Sequence, residues 1–572
     1  MKRIALFIFL GAICAAQAET PPRATLRVAL WTLHRDPTAS VTPLTGATLQ
    51  LCETCPNQPG KPLTLQANNA TLTWTEPNQL PRQSPQLLLA GNWRIAAHSE
   101  SLTLGDPLRI SAQSGALLFV ATLPIERYVE QVVAAESGPA DSPESLKALA
   151  VVARSFALQP RHGHAGFDVC DSTHCQFLRW RSSPQAHEAA QSTAGEVLWI
   201  SNHRAEAFFH QNCGGRTAAA SEVWPQRAGA GPATQKALLS REDPYCGRAG
   251  SPEWSTTLSR AQLTQALSAA GLAPSGWTTL TVAQRGPSGR AAILQIGAIR
   301  TSTEDFRLAI GRTLGWNQIR SNWFEVSPQG ESFLFHGRGS GHGVGLCQTG
   351  AAEMAGAGKP YREILAQYFP NAISAEETTG APWQSLPGQN FTLETSDPTD
   401  RQYLPALTQA LAEAQSRSGL HPNAPIAVRA YRSTPVFRDA TLAPGWVAAF
   451  TEGNRIALQP LRILAARRLL AGTARHEFLH ALVETESTPQ TPLWLREGLV
   501  EIWSGEPIPP AKPTQSPDAI SQQLAHAASL AESQQTHRAA AWYASQLLNR
   551  HGRAQTLAWL RAGVPQSALG NF

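Results

Sequence analysis

The chain is poor in charge, has no long apolar run after its first residues and contains no internal repeat. Charged side chains are only 16% of its 572 residues and hydrophobic ones 42%, which excludes a chain kept unfolded by self-repulsion and allows real cores. The net charge is +5, of which Lys2 and Arg3 supply two, leaving +3 beyond them. So small a surplus does not demand nucleic acid, and none is expected as a partner; it is compatible with the anionic surface of a cell wall. No later stretch is apolar enough to span a membrane. The glycine-rich stretch 337–350 lacks both the dinucleotide-binding spacing and the Gly-Lys-Ser/Thr of a P-loop, which argues against a nucleotide site. Cys52-x-x-Cys55 lacks the βαβ surroundings of a redox motif, so a small structural disulfide is expected there.

What is present begins with an export signal. Lys2 and Arg3, the short apolar run Ile4 to Ala15 and the small-x-small segment Ala16-Gln17-Ala18 read as a signal peptide over 1–18, cleaved after Ala18. The mature protein is expected in the periplasm, cell envelope or extracellular space. Seven cysteines would remain: Cys52, Cys55, Cys170, Cys175, Cys213, Cys246 and Cys347. Export favours pairing, and an odd number leaves one free, metal-bound or paired between chains.

The length suggests about two to four domains. Short alternating runs over 24–122 predict strands and hairpins. Helices are expected over 124–137 and from Ser142-Pro143-Glu144, where Ser caps and Pro fills the first turn, to about Leu158. Mixed structure follows to 372, giving an α+β first domain with a β-rich start. The Pro/Gly/Thr/Ser-rich stretch 373–390 reads as a linker, extending to about 395. A mainly helical second domain is expected over 396–572, with helices at 401–418, 461–486, 493–503 and most of 515–562, and a strand at 426–431.

Four segments in the first domain belong together. They are Leu123 to Glu136, Ser145 to Leu158, Phe209-His210-Gln211-Asn212-Cys213-Gly214-Gly215-Arg216-Thr217, and Gly337 to Ala351 with its core Gly341-His342-Gly343-Val344-Gly345-Leu346-Cys347-Gln348. In order and content they closely resemble the SpoIID/LytB family, over roughly 24–372. Members are peptidoglycan lytic transglycosylases or proteins described as enhancers of a cell-wall amidase; the resemblance therefore implies glycan strands, especially peptide-stripped ones, as substrate and an amidase as a candidate partner. An alternative reading within the family is a non-catalytic glycan binder that activates such an amidase. Glu136 matches the catalytic glutamate. A lytic transglycosylase uses the sugar's own C6 hydroxyl as nucleophile, so one carboxyl suffices, and burial should keep it protonated. Lys147 and Arg154, seven apart on one helical face, are read as groove cations, against a plain solvated face as the bland alternative. His210, His342 and Gln348 are expected to contact glycan, with the glycines allowing close backbone approach. Some members bind zinc beside the glutamate through one His and two Cys. His164, Cys170 and Cys175 fit that role, with His174 as a rival, and a Cys170–Cys175 disulfide is the alternative. A Cys213–Cys246 disulfide is expected, which leaves Cys347 single. Cys347 and Gln211 stand where Ser is usual in the family.

The second domain carries His476-Glu477-Phe478-Leu479-His480. On a helix its two histidines share a face four residues apart, as zinc capture requires, and Glu477 can activate a water. Leu493-Trp494-Leu495-Arg496-Glu497-Gly498-Leu499-Val500-Glu501 resembles the third-ligand helix of gluzincin peptidases, which implies a zinc site of His476, His480 and Glu497; Glu501 is the disfavoured rival. The resemblance, to zincin-like peptidase MA domains, covers about 400–560 and implies a metallopeptidase with Glu477 as its catalytic base.

Overall fold

The computed structural model describes residues 25–33, 35–97, 100–159, 164–180, 183–225, 238–272, 274–443, 447–525 and 530–569, together with Ile4–Ala5. The expected signal peptide otherwise lies outside the described residues. Two compact units divide at Gly380/Ala381. No helix among the described residues is long and apolar enough to cross a membrane.

The first unit starts with two β-sheets, as the alternation predicts. Leu63–Asn68 buries Leu63, Leu65 and Ala67 and exposes the residues between, the period of a half-buried strand. One sheet runs Glu100–Leu104, Trp93–Ala97, Thr38–Pro43, Leu63–Asn68, Thr71–Thr75, Arg82–Ser84; the other centres on Thr25–Leu30, Ala116–Pro124, Leu108–Gln113 and Gln86–Ala90. Neighbouring strands are antiparallel, except that Val169–Cys170 pairs parallel with Val28–Ala29. The expected Cys52–Cys55 disulfide is formed.

Strand Ala116–Pro124 leads straight into helix Ile125–Glu136, with Pro124 at its N-cap. Helix Pro143–Ala157 follows. Pro143 occupies its first turn, and the Ser145 hydroxyl accepts the Ser142 backbone N–H at 3.0 Å. The helices pack on the sheets through a shared core that includes Tyr128, Val132, Leu149 and Phe156. Within the expected mixed region, residues 253–338 form a module of two three-stranded sheets and helices Arg260–Ala269 and Thr303–Leu314. Trp254, Leu263, Phe306 and Phe335 give this module a core of its own.

The stretch expected as a linker is instead built into sheets. Ile373–Glu376 pairs with Glu196–Trp199 in the first unit, and Gln384–Pro387 pairs with Phe391–Thr395 in the second. Composition marks turn residues, but partner strands satisfy the backbone between them.

In the second unit Phe391–Thr395, Ile426–Ala430 and Arg455–Leu458 run parallel, and Ala449–Glu452 is antiparallel to the last. Ile4–Ala5 pairs with Phe450 and Thr451. Helices Leu404–Ser418, Leu470–Glu486, Leu493–Ser504 and Leu530–Ala562 surround a separate core containing Phe391, Phe478, Trp494 and Tyr543. The unit is thus a mixed sheet with helices, more β-structured than the mainly helical expectation.

Candidate functional site

Glu136 is the last residue of its helix and lines a cleft of about 840 Å³. Burial raises its pKa from 4.5 to about 7, against a smaller lowering by a hydrogen bond from Gln348. Gln348 Nε2 also donates to the Glu136 carbonyl at 3.2 Å. Glu136 is the one carboxyl among the described residues of the lining.

The third and fourth sequence segments meet by parallel pairing of Phe209–His210 with Leu346–Cys347. In the glycine-rich loop Gly339, Gly341, Gly343 and Gly345 all take positive φ. A Cβ on Gly341 would stand 2.9 Å from that of His210, so this glycine lets the two loops approach each other. His210 and His342 both line the cleft and also brace the loops. His210 Nδ1 donates to the Val344 carbonyl at 3.1 Å, and His342 Nδ1 accepts the Val344 N–H at 3.0 Å. Burial holds His342 at about 4 and His210 well below its ordinary value, so both rings are neutral. With Nδ1 of His210 donating, its Nε2, without a partner among the described residues, is left as a buried acceptor.

Two expected groove residues are elsewhere. Arg154 is fully buried and forms a two-pronged ion pair with Glu126 at 2.9 and 2.5 Å, with further bonds to the Ala190 and Glu196 carbonyls. Its fork matches buried acceptors, so it ties helices together and cannot reach glycan. Lys147 pairs with Glu144 at 2.7 Å and is not in the cleft lining. Among the cleft residues that carried no sequence signal are Arg307, Trp316 and Arg320, which come from the 253–338 module.

His164, Cys170, His174 and Cys175 form one cluster, their ligand atoms all within 4.8 Å. His174 thus joins the expected three instead of replacing His164. His164 Nε2 is 3.3 Å from Cys175 Sγ, and the two sulfurs, 3.1 Å apart, are unbonded. Two thiols and two imidazoles are a zinc donor set. Cys175 also lines the Glu136 cleft. The expected Cys213–Cys246 disulfide is not formed, and Cys347 is not solitary. All three are free, buried thiols gathered with Asp243.

In the second unit His476, Glu477, His480 and Glu497 are buried on helices Leu470–Glu486 and Leu493–Ser504. His476 Nε2 and His480 Nε2 face each other at 3.0 Å, and His480 Nε2 is 3.7 Å from Glu497 Oε2. Burial lifts Glu477 to about 8, although Thr451 Oγ1 donates to it. Glu477 Oε1 and Glu497 Oε1 are buried without a hydrogen-bond partner among the described residues. Facing ring nitrogens and an orphaned Glu497 oxygen are groups that a cation would satisfy. Ser504 Oγ is 3.0 Å from His476 Nδ1, orienting the ring. His537, forty residues beyond Glu497 and unmarked by any motif, lies 3.2 Å from the Glu497 carboxylate. Glu501 is also buried and is raised to about 7 by that burial.

Comparison with known proteins gives two family matches. The family described as Stage II sporulation protein matches residues 113–199, and a domain of unknown function matches 240–345, which spans the 253–338 module. An uncharacterized protein of Brachyspira hyodysenteriae is 29% identical over 265 residues, 44% of this chain and 67% of that protein. The stage II sporulation protein D of Bacillus amyloliquefaciens is 29% identical over 270 residues, covering 44% of this chain and 74% of that one. The amidase enhancer of Bacillus subtilis is 25% identical over 284 residues, 40% of this chain but only 37% of the enhancer. The similarity is thus to the Stage II sporulation family over 113–199 and to relatives named stage II sporulation protein D and amidase enhancer, each over less than half of this chain.

Proposed function

We propose that this is an exported, two-headed cell-wall enzyme whose first unit cleaves peptide-stripped glycan strands as a lytic transglycosylase through Glu136. The observation that carries the reading is that Glu136, the one carboxyl among the described cleft residues, has its pKa raised to about 7. Ordinary glycosidases work with two carboxyl groups. A single one is enough when the substrate supplies its own nucleophile.

Neutral Glu136 donates its proton to the glycosidic oxygen as the bond from that oxygen to C1 breaks. The C6 hydroxyl of the same sugar bonds to C1, closing a 1,6-anhydro ring. Its proton passes to the Glu136 carboxylate, which returns to the neutral acid, and no water is consumed. Gln348 fixes the helix end that carries the acid. Trp316 and Arg320 offer a stacking face and a cation along the same cleft. His164, Cys170, His174 and Cys175 would hold zinc with all four positions filled, a closed site that stiffens the cleft wall at Cys175.

The second unit reads as a zinc metallopeptidase. His476, His480 and Glu497 would hold the metal, which when bound supplies electrophilic activation at a peptide carbonyl. Glu477, drawn to its carboxylate form by the positive charge of a bound metal, would take the proton of the attacking water and pass it to the leaving amine.

The test uses the purified mature protein and its Glu136→Gln variant, each given peptide-stripped glycan strands, with mass spectrometry of the ends. Anhydro ends from the unsubstituted protein alone are expected. No products from either, with glycan binding intact in both, would replace this reading by binding and activation of an amidase, the role named in the Bacillus subtilis relative.

A further inference from the structure

We infer that Cys213, Asp243, Cys246 and Cys347 form a further zinc site, a structural one that pins together the loops behind the Glu136 cleft. Their ligand atoms lie within 4.8 Å of one another and all four residues are buried. Four ligands around a tetrahedral zinc stand about 3.5–3.8 Å apart. Cys213 Sγ is 3.3 Å from Asp243 Oδ2, close to that spacing with no ion imposed. A disulfide between any two of the thiols would strand the third beside a buried carboxylate.

The surroundings suit thiolates bound to a metal. Cys347 is the N-cap of helix Gln348–Gly356, and its sulfur accepts N–H bonds from Cys213 at 3.2 Å and Gly350 at 3.5 Å. This position favours negative sulfur. Asp243 is oriented from outside by the Cys246 N–H at 2.9 Å and the Tyr368 hydroxyl at 2.8 Å, the kind of outer bonds that aim a ligand. Three thiolates and a carboxylate around a divalent ion leave a net charge of about minus two. The buried Arg290 guanidinium, bonded to the Cys213 carbonyl at 2.5 Å, offsets part of it.

The site's position gives it a purpose. Cys213 follows Asn212, and Cys347 precedes Gln348; both neighbours line the cleft. A metal there would clamp the segments carrying motifs three and four, and so fix Gln348 against the end of the Glu136 helix. This assignment does not depend on the reaction catalysed in the cleft.

The full mature chain carrying His476→Ala, His480→Ala, Cys170→Ser and Cys175→Ser loses the other two candidate sites. It is expected to retain one zinc per chain by elemental analysis, with an X-ray absorption shell of three sulfurs and one oxygen. Adding Cys347→Ser should remove that zinc. The unsubstituted protein provides a check independent of variant folding. Denatured in alkylating reagent without reductant, it should yield Cys213, Cys246 and Cys347 all alkylated. A cross-linked peptide joining any two of them, or a four-substitution chain that is folded and holds no zinc, would overturn the site.

Discussion

Glu136 gains its acidity range from burial at a helix end, and this sets two opposite responses to pH. The proposed glycan cleavage needs the neutral carboxyl, so that activity should fall as pH rises through about 7. Glu136→Gln should lower the rate of anhydro-end formation by about 100- to 10,000-fold. Stability runs the other way. A carboxyl raised from 4.5 to about 7 costs the folded state free energy once it must ionise. The neutral Gln variant should therefore melt higher than the unsubstituted protein above about pH 7, and the gain should disappear below about pH 4.5, where the carboxyl is protonated folded or unfolded. Melting curves across this range check it; an unchanged difference at all pH values would mean that the carboxyl is not held neutral. Arg154 and Lys147 separate just as clearly. Arg154→Ala leaves Glu126 as a buried, uncompensated charge and should cost about 3–5 kcal/mol in denaturant unfolding. Lys147→Ala breaks a partly exposed pair and should cost about 0–1 kcal/mol.

At the scale of elements, boundaries set by local chemistry were legible and long-range partnerships were not. Pro124 and Ser142-Pro143 mark the starts of two helices within a residue, because a proline ring and a polar cap act on their own turn. The spacing of Lys147 and Arg154 correctly implies a shared helix, but nothing local says that Arg154 turns inward to Glu126. The local Cys52–Cys55 pair was legible, but the grouping of the distant cysteines was not, for the same reason. Cys213, Cys246 and Cys347 come from three segments that meet only when Phe209–His210 pairs with Leu346–Cys347. His537 joins Glu497 from a helix with no motif. The packing of the fourth segment yields a further prediction. A Cβ on Gly350 would collide with the Tyr368 hydroxyl and the Asp243 carboxylate. Gly350→Ala should cost about 1–3 kcal/mol in thermal unfolding and lower anhydro-end formation by displacing Gln348. A variant with unchanged melting and activity would mean that this contact relaxes freely.

At the scale of the whole molecule, the two proposed chemistries draw on different residues and different cores. Described residues lining the Glu136 cleft all fall between Ala135 and Thr349, and their core is built from the first unit. The candidate metallopeptidase residues fall between Thr451 and His537, around a core that shares no residue with it. Point changes that preserve volume should therefore disable one activity at a time. Glu477→Gln removes the group that would move the proton of the attacking water, while its isosteric amide can still accept the Thr451 hydroxyl. It should abolish cleavage of an unstructured protein substrate and leave the yield of anhydro ends from glycan unchanged. Glu136→Gln should do the reverse. Assaying both variants on both substrates closes the comparison. Loss of glycan cleavage in Glu477→Gln would mean that the heads act as one coupled machine, and the division into two independent sites would have to be abandoned.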